Sequence, residues 1–255
     1  MKSRRLLLST ASYLAVTGIA YAADMTPVVK APPRPVVPSW TGFYMGIHGG
    51  VAGFNAKQDT HVTPGSQHTQ PEGLCEDVFT GTCRFSDTSG ALGGQAGYNW
   101  QMQNWVLGVE GDGSWLNAKA SVFFPTGNNR TDGTASNKLD WLASARARLG
   151  FVVADGAALI YGTGGVAWAG INSGWIENAG YNALLNKTLT GWVAGGGVEA
   201  IVSRNWTFRV EALWYDFGSK FATGTGGPAL DELATYTTKF NNTVLVGRVG
   251  LNFKW

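Results

Sequence analysis

The residues of this chain that could do chemistry are three histidines, two cysteines and a set of carboxylates and arginines. His61 and His68 lie near Asp59, Ser66 and Glu72. A lipase or protease needs a nucleophile, a base and a group that orients the base. A stretch this polar produces such neighbours by chance, so no catalytic role is expected of it. Two imidazoles without a third ligand also make a poor metal or haem site. His48 stands apart, on the inward face of a strand. No catalytic residue, metal or cofactor is expected. Cys75 and Cys83 share one long connection, and in an exported chain they are expected to form a disulfide rather than two reactive thiols. Gly195-Gly196-Gly197 falls within a strand with no helix after it, which argues against a phosphate loop.

Charges carry the stronger signal. Glu110, Asp112, Asp140, Glu199 and Glu211 share one face of the period-two pattern with Arg146, Arg148, Arg209, Arg248 and Lys254. Slipping a strand by one residue would move its charges to the other face. If that face met lipid, each Arg or Lys would cost about 2–4 kcal/mol at the midplane. The charged face is therefore the inner wall of a barrel, and its charges are expected to pair. Expected partners are Glu110 and Asp112 with Arg146 and Arg148, Glu199 with Arg209, and Glu211 with Arg248. A gate whose bridges exchange to open a narrow pore is the functional alternative to this structural core.

The elements that position these charges follow from composition and alternation. Of 255 residues, 14% are charged and 36 are Gly. Soluble domains average about 25% charged and about 7% Gly. Low charge with 12% aromatic residues speaks against disorder and against nucleic-acid binding. Two cysteines are too few for a disulfide scaffold or a Cys-rich zinc module.

Lys2, Arg4 and Arg5 precede a mostly apolar stretch, Leu6 to Ile19, and the small-x-small run Ala20-Tyr21-Ala22. Residues 1–22 read as a secretory signal peptide cleaved after Ala22. Its removal takes the formal net charge from +2 to −1 and leaves no basic patch. Residues 23–39 carry five prolines (Pro27, Pro32, Pro33, Pro35 and Pro38) and read as an extended periplasmic segment. Nothing after it approaches a transmembrane helix.

From Trp40 the period becomes two. Eight strands are expected, at about 40–54, 90–100, 105–118, 138–151, 158–169, 188–202, 206–217 and 242–255. Connections 101–104, 152–157 and 203–205 are short, whereas 55–89, 119–137, 170–187 and 218–241 are long. Alternation of short turns and long loops marks an outer-membrane barrel, which places residues 40–255 in an all-β, eight-stranded antiparallel transmembrane barrel. Strand 5 has two apolar or Gly faces and cannot be oriented. Trp40, Trp100, Trp105, Trp206 and Trp255 fall near the short turns, and Trp115, Trp141, Trp168, Trp192 and Trp214 nearer the long loops. Two aromatic belts are expected of a membrane barrel. An eight-stranded barrel is just wide enough for its own side chains to fill it.

Trp40-Thr41-Gly42-Phe43-Tyr44 after a Pro-rich stretch resembles the first strand of small outer-membrane barrels. Gly195-Gly196-Gly197-Val198-Glu199, the run from Glu211 to Gly218, and the closing run from Arg248 to Trp255 add to this. Over residues 23–255 the chain resembles the outer-membrane immunogenic protein family, OmpA-like barrels of alphaproteobacterial type, often labelled porin family. The resemblance implies a surface-exposed antigen of the Gram-negative outer membrane, inserted by the assembly machinery. It implies that Val249, Leu251, Phe253 and Trp255 form the C-terminal assembly signal, with Trp255 where members usually end in Phe. It carries no catalytic residues and no cofactor, and no peptidoglycan-binding domain is expected after Trp255. Expected partners are outer-membrane lipid and lipopolysaccharide, host or phage surfaces at the Gly-, Asn- and Thr-rich loops, and peptidoglycan near 24–39; nucleic acid is not. The expected function is a structural and surface-interaction barrel with an ion-paired interior. A passive diffusion porin is the alternative.

Overall fold

Alternating side chains carry eight long strands into one closed sheet. The computed structural model describes residues 39–62, 82–124, 133–177, 182–225 and 235–255. The strands are β1 (Gly42–Val62), β2 (Thr82–Met102), β3 (Trp105–Phe124), β4 (Gly133–Val153), β5 (Ala158–Glu177), β6 (Asn182–Ile201), β7 (Trp206–Thr225) and β8 (Thr235–Lys254). Each pairs antiparallel with its neighbour in sequence, and β8 closes on β1. The fold is thus an eight-stranded antiparallel β-barrel. Closure gives every strand a ladder on both sides, although the β2–β3 ladder runs only to Ala91/Leu116 and the β6–β7 ladder only to Trp192/Asp216.

The strands run longer than the alternation of apolar outward residues predicts. β1 continues to Val62 and β2 begins at Thr82, inside what reads in the sequence as one loop, 55–89. The reason is an inversion of polarity along the barrel. In the lower part Met45, Ile47, Val109, Leu149 and Val249 face outward, against lipid. Further up the same strands, inward positions become apolar: Phe54, Ala56, Phe85, Ala118 and Ala120 are all buried. A strand that leaves the bilayer faces water outside and needs an apolar core inside, so the pattern that marks it in lipid ends while the strand goes on.

β4 holds a correction to the register. Leu139 shares a sequence face with Trp141 and Leu149, which would turn it to lipid, yet it is fully buried within the barrel. Pairing with β5 shifts between Leu139 and Trp141, where Leu139 meets Ile171 and Trp141 meets Gly170. This bulge inserts one residue and switches which parity points inward. Two further shifts, at Trp115/Ala118 and Asp216/Ser219, lie in β3 and β7.

The structure also orients β5. Leu159, Tyr161, Ala167, Ala169 and Ile171 point inward, and Ile160 and Val166 outward. Outward aromatics gather at both rims. Trp105 stacks edge-on with Phe151, Trp206 with Phe253, and Phe253 with Trp255. Trp115, Trp192 and Trp214 are exposed at the other rim. Trp40 departs from the belt: it is 1% exposed, and its indole N–H donates to the Gly156 carbonyl at 3.1 Å. It precedes β1 and packs in the barrel mouth against Val106, Val152, Leu159 and Tyr161.

Candidate functional site

The alternating pattern sends one charged residue after another into the same slab of the interior. Glu110 and Asp112 come from β3, Arg146 and Arg148 from β4, Glu199 from β6, Arg209 and Glu211 from β7, and Arg248 from β8. Their side chains are at most 4% exposed. Four carboxylates meet four guanidinium groups, so the slab is formally neutral. Neutrality matters here, because an uncompensated buried charge is far more costly than a paired one.

Arg146 is ion-paired with Glu110, its Cα partner on β3, and also reaches Asp112 at 3.1 Å and Glu211 at 3.0 Å. Arg248 meets Asp112 and Glu211, each at 2.7 Å. Arg209 crosses the lumen to Glu110 at 2.5 Å. Arg148 meets Glu199 at 2.7 Å. Glu199 and Arg209 stand opposite each other in the β6–β7 ladder, but their side chains take these other partners. An arginine is long enough to span the narrow lumen, so partners follow the interior geometry rather than the adjacent strand.

Polar neighbours that the charge count overlooks complete the network. The Tyr44 hydroxyl donates to Glu110 at 2.7 Å and accepts from Arg148 at 3.2 Å. The Tyr161 hydroxyl donates to Glu211 at 3.1 Å, and the Arg148 guanidinium lies 4.0 Å from the Tyr161 ring centroid. Thr207 donates to Glu199 at 2.5 Å, and Asn252 donates to the same oxygen at 2.9 Å. His48 lies between Gln95 at 2.5 Å, Ser114 at 2.8 Å and Arg248 at 3.3 Å. Tyr44, His48, Gln95 and Asn252 all occupy inward positions, so polar residues at inward parity are the sequence signal that would have found them.

Glycine makes room for these long side chains. A Cβ on Gly97 would stand 2.6 Å from the Tyr44 ring, and one on Gly108 would stand 2.9 Å from Arg148 Cγ. Gly97 and Gly108 therefore mark where a side chain from another strand lies against the wall.

Two charges assigned to this network stand outside it. Asp140 sits beside the β4 bulge, partly exposed, with Lys138 at 2.5 Å and hydrogen-bonded to Asn172. The bulge displaces it from the inward row. Lys254 lies at the barrel rim, where its ammonium donates to the Ser39 carbonyl. The last turn of the sheet leaves it too near the mouth to reach the ionic slab.

Apolar layers flank the slab. On the long-connection side lie Phe54, Leu139, Leu142, Leu213, Tyr215 and Phe217 with several alanines. On the short-turn side lie Trp40, Val106, Val152, Leu159 and Tyr161. Of the terminal residues Val249, Leu251, Phe253 and Trp255, all turn outward at the strand that closes the barrel, and Phe253 is the least exposed. Cys75, His68, the side chains of Cys83 and His61, and residues 1–38 with the expected signal peptide lie outside the described residues. Among the described residues, no group of three or more His, Cys, Asp or Glu is arranged to hold a metal ion.

Comparison with known proteins agrees with this architecture. Residues 16–253 match the family model described as outer membrane protein beta-barrel domain. The 31 kDa outer-membrane immunogenic protein of Brucella melitensis biotype 1 is 33% identical over 260 residues, covering 98% of both chains. A 22 kDa outer membrane protein of Rhizobium leguminosarum bv. viciae is 31% identical over 191 residues, covering 75% of this chain and 70% of its own. Among solved structures, the outer membrane protein OprG from Pseudomonas aeruginosa shares the fold with a TM-score of 0.53 at 15% identity, covering 86% of this chain and 99% of that one. A closed barrel with outward aromatic rims, together with these matches, places the protein in the outer membrane as a member of the outer membrane protein beta-barrel family.

Proposed function

We propose that this protein is a structural and surface-presenting barrel whose lumen is closed to solute flow. The observation that carries the reading is the layered interior. A neutral slab of four carboxylates and four arginines lies between two apolar layers, and every side chain in the slab is held by several partners. Opening a water path would require breaking buried charge pairs, each worth about 3–5 kcal/mol once one partner is left alone. The apolar upper layer supports a second part of the reading. It stiffens the strand ends that extend past the bilayer, which then form a firm rim for contact with other surfaces.

Single-channel recording on the refolded mature chain in a planar bilayer tests this. Silence, or rare small openings, is expected. Steady conductance of porin size would overturn the closed lumen and make passive diffusion the function.

A further inference from the structure

Two ladders of the barrel stop at the upper aromatic rim. Pairing of β2 with β3 ends at Ala91/Leu116, beside Trp115, and pairing of β6 with β7 ends at Trp192/Asp216. The other ladders continue above it, among them β3–β4 to Phe124/Gly133, β5–β6 to Ile176/Asn182, β7–β8 to Thr225/Thr235 and β8–β1 to Val62/Tyr236. Above the rim the barrel is therefore two four-stranded sheets, β7-β8-β1-β2 and β3-β4-β5-β6, with two seams between them. One buried apolar cluster spans both, drawing Phe54, Phe85 and Phe217 from the first sheet and Leu139, Ile171 and Leu189 from the second. The height of the seams has a physical cause. Within hydrocarbon every backbone group needs a partner from the sheet, whereas above it water can serve and a ladder can part.

The two seams differ. Across β2 and β3, side chains replace the missing ladder: Ser89 Oγ accepts the Asn117 N–H at 3.1 Å, and Asp87 accepts the Lys119 N–H at 2.7 Å. Among the described residues nothing comparable bridges β6 and β7 above Asp216, which turns to its own strand and accepts the Gly218 N–H at 2.8 Å. Gly218, Ser219, Lys220 and Phe221 are all exposed, whichever face they belong to, and Phe221 is 69% exposed. A free edge of this kind is a template for another strand.

The side chains at the seam define which strand fits. Lys187 of β6 is the Cα partner of Ile171, whose side chain is buried, so it lies on the inward face. Lys220 of β7 is the partner of Phe240, which shares the inward face of β8 with buried Asn242 and Val244. Both lysines are exposed, and among the described residues neither has a carboxylate within ion-pairing distance. Phe221, the next residue, lies on the outward face opposite Lys239 of β8. A strand laid along β7 thus meets cations on one face and an exposed ring on the other. A second copy of this chain would set the same lysines against each other, which disfavours self-pairing.

We propose that the β6–β7 seam takes up an extended segment of another protein as an added strand along β7, one whose side chains alternate between acidic and apolar. Its acids face Lys187 and Lys220, and its apolar residues lie beside Phe221. This rests on the reading of the strand ends as a rim for contact and names the chemistry that the rim selects.

The test uses the refolded mature barrel in detergent micelles and a labelled, end-capped peptide of Glu-Val repeats, with binding followed by fluorescence anisotropy at low salt. K187E/K220E, checked for folding by heat-modifiable gel mobility, is expected to bind it at least about tenfold more weakly than the parent and to take a Lys-Val repeat instead. A peptide of the same composition with Glu and Val in separate blocks is expected to bind the parent weakly. N-methylation of every Val amide, or of every Glu amide, removes the donors from one edge of the peptide, and at least one of these two forms is expected to lose binding. Equal binding of the Glu-Val repeat by parent and K187E/K220E, equal binding of the block peptide, or full binding of both N-methylated forms overturns the proposal. No binding by a parent barrel that stays silent in planar bilayers overturns strand addition and leaves the closed lumen standing. Steady conductance of a barrel that binds the repeat overturns the closed lumen and leaves strand addition standing.

Discussion

Glu199 and Arg209 face each other as Cα partners across β6 and β7, yet each is bonded elsewhere. Glu199 holds Arg148 of β4 at 2.7 Å, and Arg209 crosses the lumen to Glu110 of β3 at 2.5 Å. In a barrel this narrow, the wall opposite is as close to a guanidinium as the neighbouring strand. Charges on all sides are thereby knitted into one unit, and strands far apart in sequence are tied directly.

That cross-connection gives a coupling test. A double-mutant cycle on E199Q and R148M is expected to show strong coupling in unfolding free energy, within the range of about 0.5–3 kcal/mol seen for contacting residues. The cycle on E199Q and R209M is expected to be clearly weaker, although these two are the ladder partners. Urea unfolding of the refolded barrel, followed by tryptophan fluorescence, gives both cycles. Stronger coupling for the ladder pair would mean that charges bond along the sheet after all.

R209M leaves Glu110 without its cross-lumen partner. A loss of about 3–5 kcal/mol is expected, as for other buried pairs broken from one side. Adding E110Q should recover part of it, because the slab then returns to neutrality with three carboxylates and three arginines. Thermal unfolding scored by heat-modifiable mobility reads both variants; an unchanged transition for R209M would show that Glu110 is satisfied without it.

Trp40 closes the inner mouth with a buried ring and a hydrogen bond to Gly156 at 3.1 Å. W40A should destabilise the barrel by about 3–5 kcal/mol, as large-to-small changes of buried Trp do. It should also raise the frequency of brief openings in planar bilayers, while steady conductance stays absent as long as the ionic slab is intact. W40F keeps a smaller aromatic ring and loses the donor, so it should fall between W40A and the parent in stability.

The β4 bulge turns Leu139 inward while Leu149 faces lipid. A fluorophore at L149C is expected to be quenched by brominated lipid and one at L139C to be spared. Quenching at both sites would restore the unbroken alternation and remove the bulge.

G97A places a methyl group against the Tyr44 ring and is expected to cost about 1–3 kcal/mol, as overpacking does. Combining it with Y44F removes the hydroxyl contact but should not restore stability, because Tyr44 Cζ and the Val109 carbonyl oxygen each remain 2.6 Å from the methyl. Y44A should not restore it either, because the Val109 carbonyl oxygen, 2.6 Å from the added methyl, stays in place and the bond to Glu110 is lost.

Alternation along each strand fixed the number of strands, the register of Glu110, Arg146, Arg209, Glu211 and Arg248, and the short-turn and long-loop ends, because each side chain's face follows from its neighbour's. Lipid makes that signal strong: one face must be apolar, so a charge identifies the other. The tertiary structure decided what alternation does not encode. It set the true strand ends, because the apolar face changes sides where the barrel leaves the bilayer. It placed Leu139 inside and Asp140 outside the slab, because a one-residue bulge reverses parity without any mark in composition. It oriented β5, whose small and apolar residues suit either face. It chose Arg148 for Glu199 and Glu110 for Arg209, because closure of the sheet brings together walls that no spacing along the chain relates.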